Sequence, residues 1–245
     1  KLIREAIHQV VLAAAVEDSR PVLTGVNVEL EGTSLTLAAA DGFRLAVHKA
    51  EVLDAVPEKL SMIVPARTLQ EVERLIEGDE PIDILVTPQR SQILFRLKNV
   101  EIVSQLIQGT FPNYSQLVPQ NHTTRVIVDL GELQRATRTA SIFAKDGSGI
   151  IRIQMSPGTN GAGTVTISSR AEELGDNTGE IEAEVEGEEG KIAFNSRYLS
   201  DVLAVLGKDK VAMEMTTSSS PGVIKPVDSD NYIHVVMPMF VQWGE

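Results

Sequence analysis

Four histidines, His8, His48, His122 and His234, are the residues of this 245-residue chain best suited to ligate a metal or carry a proton. They are scattered, with no His-Glu-x-x-His spacing and no carboxylate partner nearby in sequence, so they are not read as metal ligands. Residues 158–163 have the glycine density of a phosphate loop. The run lies between two strand-like stretches, precedes no helix and lacks a Gly-Lys-Ser/Thr ending, which predicts a hairpin turn. Glu172, Glu173, Asp176 and the acidic cluster over 184–189 read as solvated loop and edge charges. No serine sits in a nucleophile-elbow pattern, and the absence of cysteine removes thiol chemistry, disulfides and thiolate-bound zinc. The residues therefore offer no catalytic constellation, no metal site and no cofactor motif.

What remains is charge at helical spacing. Lys1, Arg4 and His8 share one face of a first helix, opposite an apolar stripe of Ile3, Ile7, Val10, Val11 and Ala14. Arg67 and Arg74 lie one heptad apart on a second helix, Arg135 and Arg138 close together on a third, and Arg197 early on a fourth. Glu5, Glu71, Glu73 and Asp201 are interspersed, so an ordinary solvated face and a phosphate-facing strip both fit the pattern. A net charge of −12 argues against wrapping nucleic acid unless the basic residues gather on one surface. Contacts through so sparse a strip would be weak, salt-sensitive and indifferent to sequence.

The elements that must position these residues occur twice. Leu2, Arg4, Val11 and Ala13 match Leu133, Arg135, Ile142 and Ala144; Leu35-Thr36-Leu37 matches Val165-Thr166-Ile167; Arg67-Thr68-Leu69 matches Arg197-Tyr198-Leu199. An offset of about 130 residues is far longer than a solenoid repeat, so each copy buries its own core. In the first copy, strands are expected over 25–30 and 35–39 about a Glu31-Gly32 turn, from Leu45, and over 61–64, followed by a helix with Pro65 near its start. Leu69, Val72, Leu75 and Ile76 give that helix its apolar side, and strands follow over 82–86, 92–97 and 101–107. Residues 109–124 lack periodicity and read as the crossover between copies. In the second copy, Asp129 and Glu132 form a capping-box pattern before a helix carrying Leu133, Ala136 and Ala140. Strands are expected over 150–155, 164–168, 211–216 and 232–240, and a fourth helix runs from Asn195 through Leu199, Val202, Leu203 and Leu206 to Gly207. The expected class is α+β, with two helices packed on antiparallel sheet in each of two domains, 1–118 and 119–245. No apolar run approaches the roughly 18 residues of a membrane span, and no secretory signal is visible, so a cytoplasmic protein is expected.

Four segments carry a resemblance. Ala40-Asp41-Gly42-Phe43-Arg44-Leu45-Ala46 is similar to the T-D-G-H-R-L-A segment of bacterial DNA polymerase III beta subunits, the sliding clamps. His234-Val235-Val236-Met237-Pro238-Met239 resembles their closing V-V-M-P-M strand, Gly109-Thr110-Phe111-Pro112-Asn113-Tyr114 their G-R-F-P-D-Y crossover, and Asn195-Ser196-Arg197-Tyr198-Leu199 the start of their fourth helix. The resemblance covers essentially the whole chain and implies the DNA-clamp fold of the family's second and third domains, with its N-terminal domain expected to be absent. The family's subunit has three such domains, and two subunits close into a ring with helices lining the hole. As the chain begins at Lys1 rather than Met, it is expected to be a piece of that longer protein.

The resemblance implies three surfaces. Lys1, Arg4, His8, Arg67, Arg74, Arg135, Arg138 and Arg197 would face duplex DNA without reading sequence. Ile142 and Phe143, at the end of the third helix, would belong to the homodimer interface of the full-length ring. Short Q-L-x-L-F-type peptides of polymerase III alpha, clamp-loader subunits, other polymerases and repair proteins would dock in a cleft. Leu23, Ala40, Gly42, Phe43, Arg44, Leu45, Pro112, Leu117, Val235 and Met237 would line its deeper pocket, and Asn195, Tyr198, Pro238 and Met239 its adjoining groove. Aliphatic walls and soft thioethers suit varied Leu and Phe anchors. Phe43, Ala40 and Gln116 replace the family's usual histidine, threonine and arginine, which implies a more apolar, less basic pocket. The rival readings are a two-domain scaffold without a DNA role and an enzyme using scattered carboxylates with Arg44. No cofactor and no membrane partner are implied.

Overall fold

The computed structural model describes residues 2–207 and 209–244. Lys1, expected on the DNA-facing helix surface, lies outside the described residues. The chain forms two compact units, one ending at Tyr114 and the other starting at Ser115.

In the first unit, α1 (Leu2–Val11) buries Ala6, Ile7 and Val10, while Ile3 and Val11 at the flanks of the expected stripe are half-buried. A 3-10 turn at Pro21–Thr24 leads into β1 (Gly25–Ala40), which pairs antiparallel with β2 (Arg44–Pro65). β1 takes in both stretches expected as separate strands together with the Glu31-Gly32 turn. That turn is marked by Gly32, whose φ of 58° favours glycine, and the register with β2 shifts on both sides of it. Leu30 pairs with Leu60, Gly32 with Val56 and Ser34 with Glu51, so β2 carries surplus residues there, and Leu53 among them is exposed. α2 (Ala66–Leu75) follows, burying Leu69 and Val72. β3 (Asp83–Val86), β4 (Gln92–Arg96) and β5 (Glu101–Gln105) form a separate antiparallel sheet, within one or two residues of the expected strands.

The second unit opens with β6 (Thr124–Asp129) and α3 (Leu130–Lys145). The Asp129 carboxylate accepts from the Glu132 N–H at 2.9 Å, giving the expected cap, and α3 buries Leu130, Leu133, Thr137, Ala140 and Ala144 at alternating three- and four-residue steps. β7 (Ile150–Pro157), β8 (Ala162–Ala171), β9 (Gly175–Gly187) and β10 (Gly190–Asn195) precede α4 (Ser196–Val205). β11 (Lys210–Met215), β12 (Gly222–Pro226) and β13 (Tyr232–Val236) complete a sheet in the order β13-β12-β11-β6-β9-β8-β7-β10. The glycine run is the β7–β8 hairpin turn, closed by the Gly158 N–H on the Ala162 carbonyl at 2.7 Å.

Two expectations change here. The acid-rich stretch beyond Gly175 is not a loop: β9 pairs with β8 on one side and β6 on the other. Its alternation explains the composition, with Ile181 and Val185 buried while Glu180, Glu182, Glu184 and Glu186 face solvent. The closing strand stops at Val236 rather than running to Phe240. Pro238 has no N–H to extend a ladder, and the Met239 N–H goes instead to the Ala193 carbonyl at 2.7 Å.

Both units follow one plan, which accounts for the sequence repeat. After the first helix, an outer strand segment pairs with the segment that enters the second helix, and a second pair is formed by the stretches that lie between them in sequence. In the first unit these are Gly25–Leu30 with Leu60–Pro65 and Ser34–Ala40 with Leu45–Glu51. In the second they are β7 with β10 and β8 with β9. This is an α+β architecture, with helices packed on antiparallel sheet in each unit.

Candidate functional site

The Ala40–Leu45 segment is a rigid presenting turn. Ala40 and Leu45 are register partners at the end of β1 and β2, both buried. Between them Asp41 Oδ1 accepts from the Phe43 N–H at 2.9 Å and the Arg44 N–H at 3.0 Å, and its Oδ2 meets Arg44 Nε at 3.1 Å. Arg44 and Asp41 are largely shielded, so this ion pair is worth more than a surface one. Gly42 at φ 93° occupies backbone space that a side chain would strain. The consequence is that Phe43 projects outward with 60% of its surface exposed, an apolar ring held at a fixed place. Leu23 is buried in the 3-10 turn before β1, and Pro112 is exposed in the crossover. There Phe111 and Tyr114 meet edge to face at 6.2 Å, and burial, with a smaller contribution from Glu29, raises the Tyr114 hydroxyl pKa.

The other residues expected at the peptide site belong to the second unit. The Asn195 Oδ1 caps α4, accepting from the Arg197 N–H at 2.9 Å and the Tyr198 N–H at 3.4 Å, which fixes Tyr198 in the first turn. The Met239 N–H bond to Ala193, two residues before Asn195, brings the Met237–Met239 segment alongside the end of β10. Val235 and Pro238 are buried, whereas Met237, Met239 and Leu117 are exposed. Aliphatic and thioether surface beside a capped helix start can bind an apolar anchor while offering few polar groups to fix it.

The helix cations divide into two groups. Arg4, Arg67, Arg135, Arg138 and Arg197 are exposed on the polar sides of their helices. His8 Nδ1 instead meets Glu73 at 2.7 Å, tying α1 to α2, and Arg74 is engaged by Glu71 at 2.8 Å. The Glu73 partner lies 65 residues from His8, so this pairing is not legible in the local sequence. His122 likewise sits 3.4 Å from Glu214, a carboxylate shared with Arg125 and Lys225. His48 is buried on Gln9 at 2.7 Å, and desolvation, partly offset by the charge of Glu5, lowers its pKa. Ile142 at the end of α3 is 59% exposed and Phe143 half-buried. Among the described residues, no cluster of three or more His, Asp or Glu is placed to hold a metal ion, and no helix is long and apolar enough to cross a membrane.

The sequence leaves the place of the segment after Met239 open. After Met239 the chain continues across β10 and β7: the Gln242 carbonyl accepts from Arg152 Nη1 at 2.9 Å. The Trp243 ring lies 5.4 Å from the Arg152 guanidinium and 5.9 Å from the Lys191 ammonium. Nothing in the tail's own composition names these partners, which come from strands far away in sequence.

Comparison with known proteins agrees with this architecture. Residues 1–113 match the profile of the DNA polymerase III beta subunit, central domain, and residues 115–240 that of its C-terminal domain. Beta sliding clamps of Staphylococcus aureus and Staphylococcus epidermidis are each 33% identical over 241 residues, covering 98% of this chain. The chain spans 62% of the length of these relatives. The Bacillus subtilis DNA polymerase sliding clamp superposes with a TM-score of 0.91 at 30% identity, over 98% of this chain and 63% of that one. The Pseudomonas aeruginosa DNA polymerase III subunit beta gives 0.89 at 29%, over 98% and 64%. The chain belongs to the DNA polymerase III beta subunit family, of which it carries the central and C-terminal domains.

Proposed function

We propose that this chain is the two-domain portion of a non-catalytic processivity factor. In the longer parent, two subunits close around duplex DNA and tether polymerase III alpha, the clamp loader, other polymerases and repair proteins through short apolar peptides. The observation that carries the reading is a single nested-strand, two-helix plan used twice, in a chain matched along 98% of its length by beta sliding clamps. Arg4, Arg67, Arg135, Arg138 and Arg197 supply the exposed cations that such a ring turns toward phosphates. They are few and lie among carboxylates, which suits a sliding contact rather than an anchored one. Ile142 and Phe143 form the subunit contact in the parent ring. Peptide docking is assigned to the exposed apolar side chains of Phe43 in the first unit and of Leu117, Met237 and Met239 in the second; Leu23, Ala40, Leu45, Val235 and Pro238 are buried. Gly42, Arg44, Pro112, Asn195 and Tyr198 set the shape and polarity of that site.

Retention on DNA tests this directly. The full-length parent, loaded onto a nicked circle, is expected to remain bound until the circle is cut, and then to slide off. Loss from circle and linear DNA at the same rate would exclude encirclement. Replacing Arg138 and Arg197 together by alanine should lower the magnitude of the slope of log affinity against log salt for nonspecific binding by roughly 1 to 2.

A further inference from the structure

The geometry points to the segment Phe240–Gly244 as a built-in competitor for the peptide groove, held shut by Trp243 over Arg152 and Lys191 and displaced when a partner peptide binds. The inference rests on the peptide-docking reading above and adds its regulation.

Three observations carry it. The first is position. β10 is the end strand of the second unit's sheet, and Lys191, Ala193 and Asn195 follow one another on a single side of it, at a spacing of roughly 6.8 Å. Arg152 is the register partner of Ala193, so its side chain rises on the same side. The groove residue Asn195 is thus one end of a strip whose other end lies under the tail. A peptide running along this strip from Asn195 meets the tail at Ala193, where the Met239 N–H already holds the outward carbonyl.

The second observation is the latch itself. The Arg152 bond to the Gln242 carbonyl fixes the tail backbone, and two cations on one indole fix its end. Exposed cation–π contacts are individually weak, so the tail is held firmly enough to occupy the strip yet lightly enough to leave it. The third is chemistry. Phe240, Val241, Gln242 and Trp243 present two aromatic rings, one aliphatic side chain and a glutamine, a set that shares the glutamine and the apolar anchors of a Q-L-x-L-F-type ligand, with one aromatic in place of a leucine. The tail begins directly after the groove residues Pro238 and Met239, so its effective concentration at the groove is high at any protein concentration.

A bound tail raises the apparent dissociation constant of a peptide in inverse proportion to the open fraction. Trp243 is the only tryptophan in the chain and reports its own release. The experiment titrates a tryptophan-free Q-L-x-L-F peptide into the 245-residue chain, a chain ending at Met239, and Trp243→Ala, by calorimetry, and follows Trp243 emission in the first. The shortened chain and Trp243→Ala should each bind about fivefold more tightly, the weight of one or two exposed cation–π contacts. Saturating peptide should shift the Trp243 emission to the red as the ring enters water. Equal or weaker affinity in both variants, or emission unmoved at saturation, overturns the competitor role while leaving peptide docking intact. No binding by any of the three proteins overturns the docking reading and this inference with it.

Discussion

In the unit ending at Tyr114, the β1–β2 pair and the β3-β4-β5 sheet remain separate, whereas in the unit starting at Ser115 one strand joins the equivalent parts. β6 pairs with β9 on one side and β11 on the other, making the nested strands and the closing meander one ladder. The helices differ in the same direction. Asp129 and Asn195 cap α3 and α4 with side-chain oxygens, while α2 starts at Pro65 with no side-chain cap. One plan thus yields two degrees of internal connection. The second unit should unfold as a block, and the first should open more readily where its two sheets are linked by the Ile107 N–H on the Ile63 carbonyl at 2.9 Å rather than by a joining strand.

The largest test of that contrast is a cavity. Phe194 is fully buried in β10, and its ring lies so close to Gly222 of β12 that a side chain there would collide with it. Phe194→Ala should cost about 3–5 kcal/mol. Amide exchange in urea should show the loss across the second unit while protection in the first stays near its parent level. Equal losses in both units would mean that they do not unfold separately.

Acid should sharpen the comparison from the other side. His48 is held neutral in the first unit by burial, so its folded-state pKa lies below its ordinary value of 6.5. Well above pH 6.5 neither state takes up the proton. As pH falls below that value the unfolded chain is protonated first, and stability declines until the folded-state pKa is passed. Urea midpoints for the first unit should fall between about pH 7 and pH 5, and His48→Gln should flatten that slope. An unchanged slope in the variant would assign the acid sensitivity elsewhere.

Smaller effects follow from the caps and from one orphan hydroxyl. Asn195→Ala removes the acceptor for two N–H groups at the start of α4 and should cost about 1 kcal/mol, read as a shift in thermal midpoint. A midpoint unchanged from the parent would deny the cap its role. Thr137 is buried on α3, and its hydroxyl has no hydrogen-bond partner among the described residues. Thr137→Val removes that unsatisfied group at nearly constant volume and should be neutral or stabilising by up to about 1 kcal/mol. Marked destabilisation would show that the hydroxyl is satisfied in solution.

Much of this fold was legible because period and punctuation agree. The caps at Asp129 and Asn195, the hairpin at Gly158 and the helical stripe through Leu199, Val202 and Leu203 each state a local preference that packing leaves in place. β9 is equally legible in its alternation of Ile181 and Val185 with glutamates, although so high a charge also fits a solvated loop. β10 and β12 give no such signal, since Ile192, Ala193 and Phe194, like Val223 and Ile224, are buried whichever way they point. For the site, the Asp41–Arg44 turn is written in four adjacent residues. The His8–Glu73 contact and the seat of Trp243 on Arg152 and Lys191 depend on strands and helices brought together only by folding.

The central claim, that exposed apolar residues on this chain form a peptide-docking site independent of DNA, is tested most directly by calorimetry with a Q-L-x-L-F peptide. The parent chain should bind with micromolar affinity, roughly −8 kcal/mol. Met237→Asp, which puts an unpaired charge in the proposed seat of an apolar anchor, should weaken binding by at least about 2 kcal/mol. Lys98→Ala, at a surface ion pair with Glu80 in the first unit, should leave it unchanged. Binding by Met237→Asp equal to that of the parent would contradict the account.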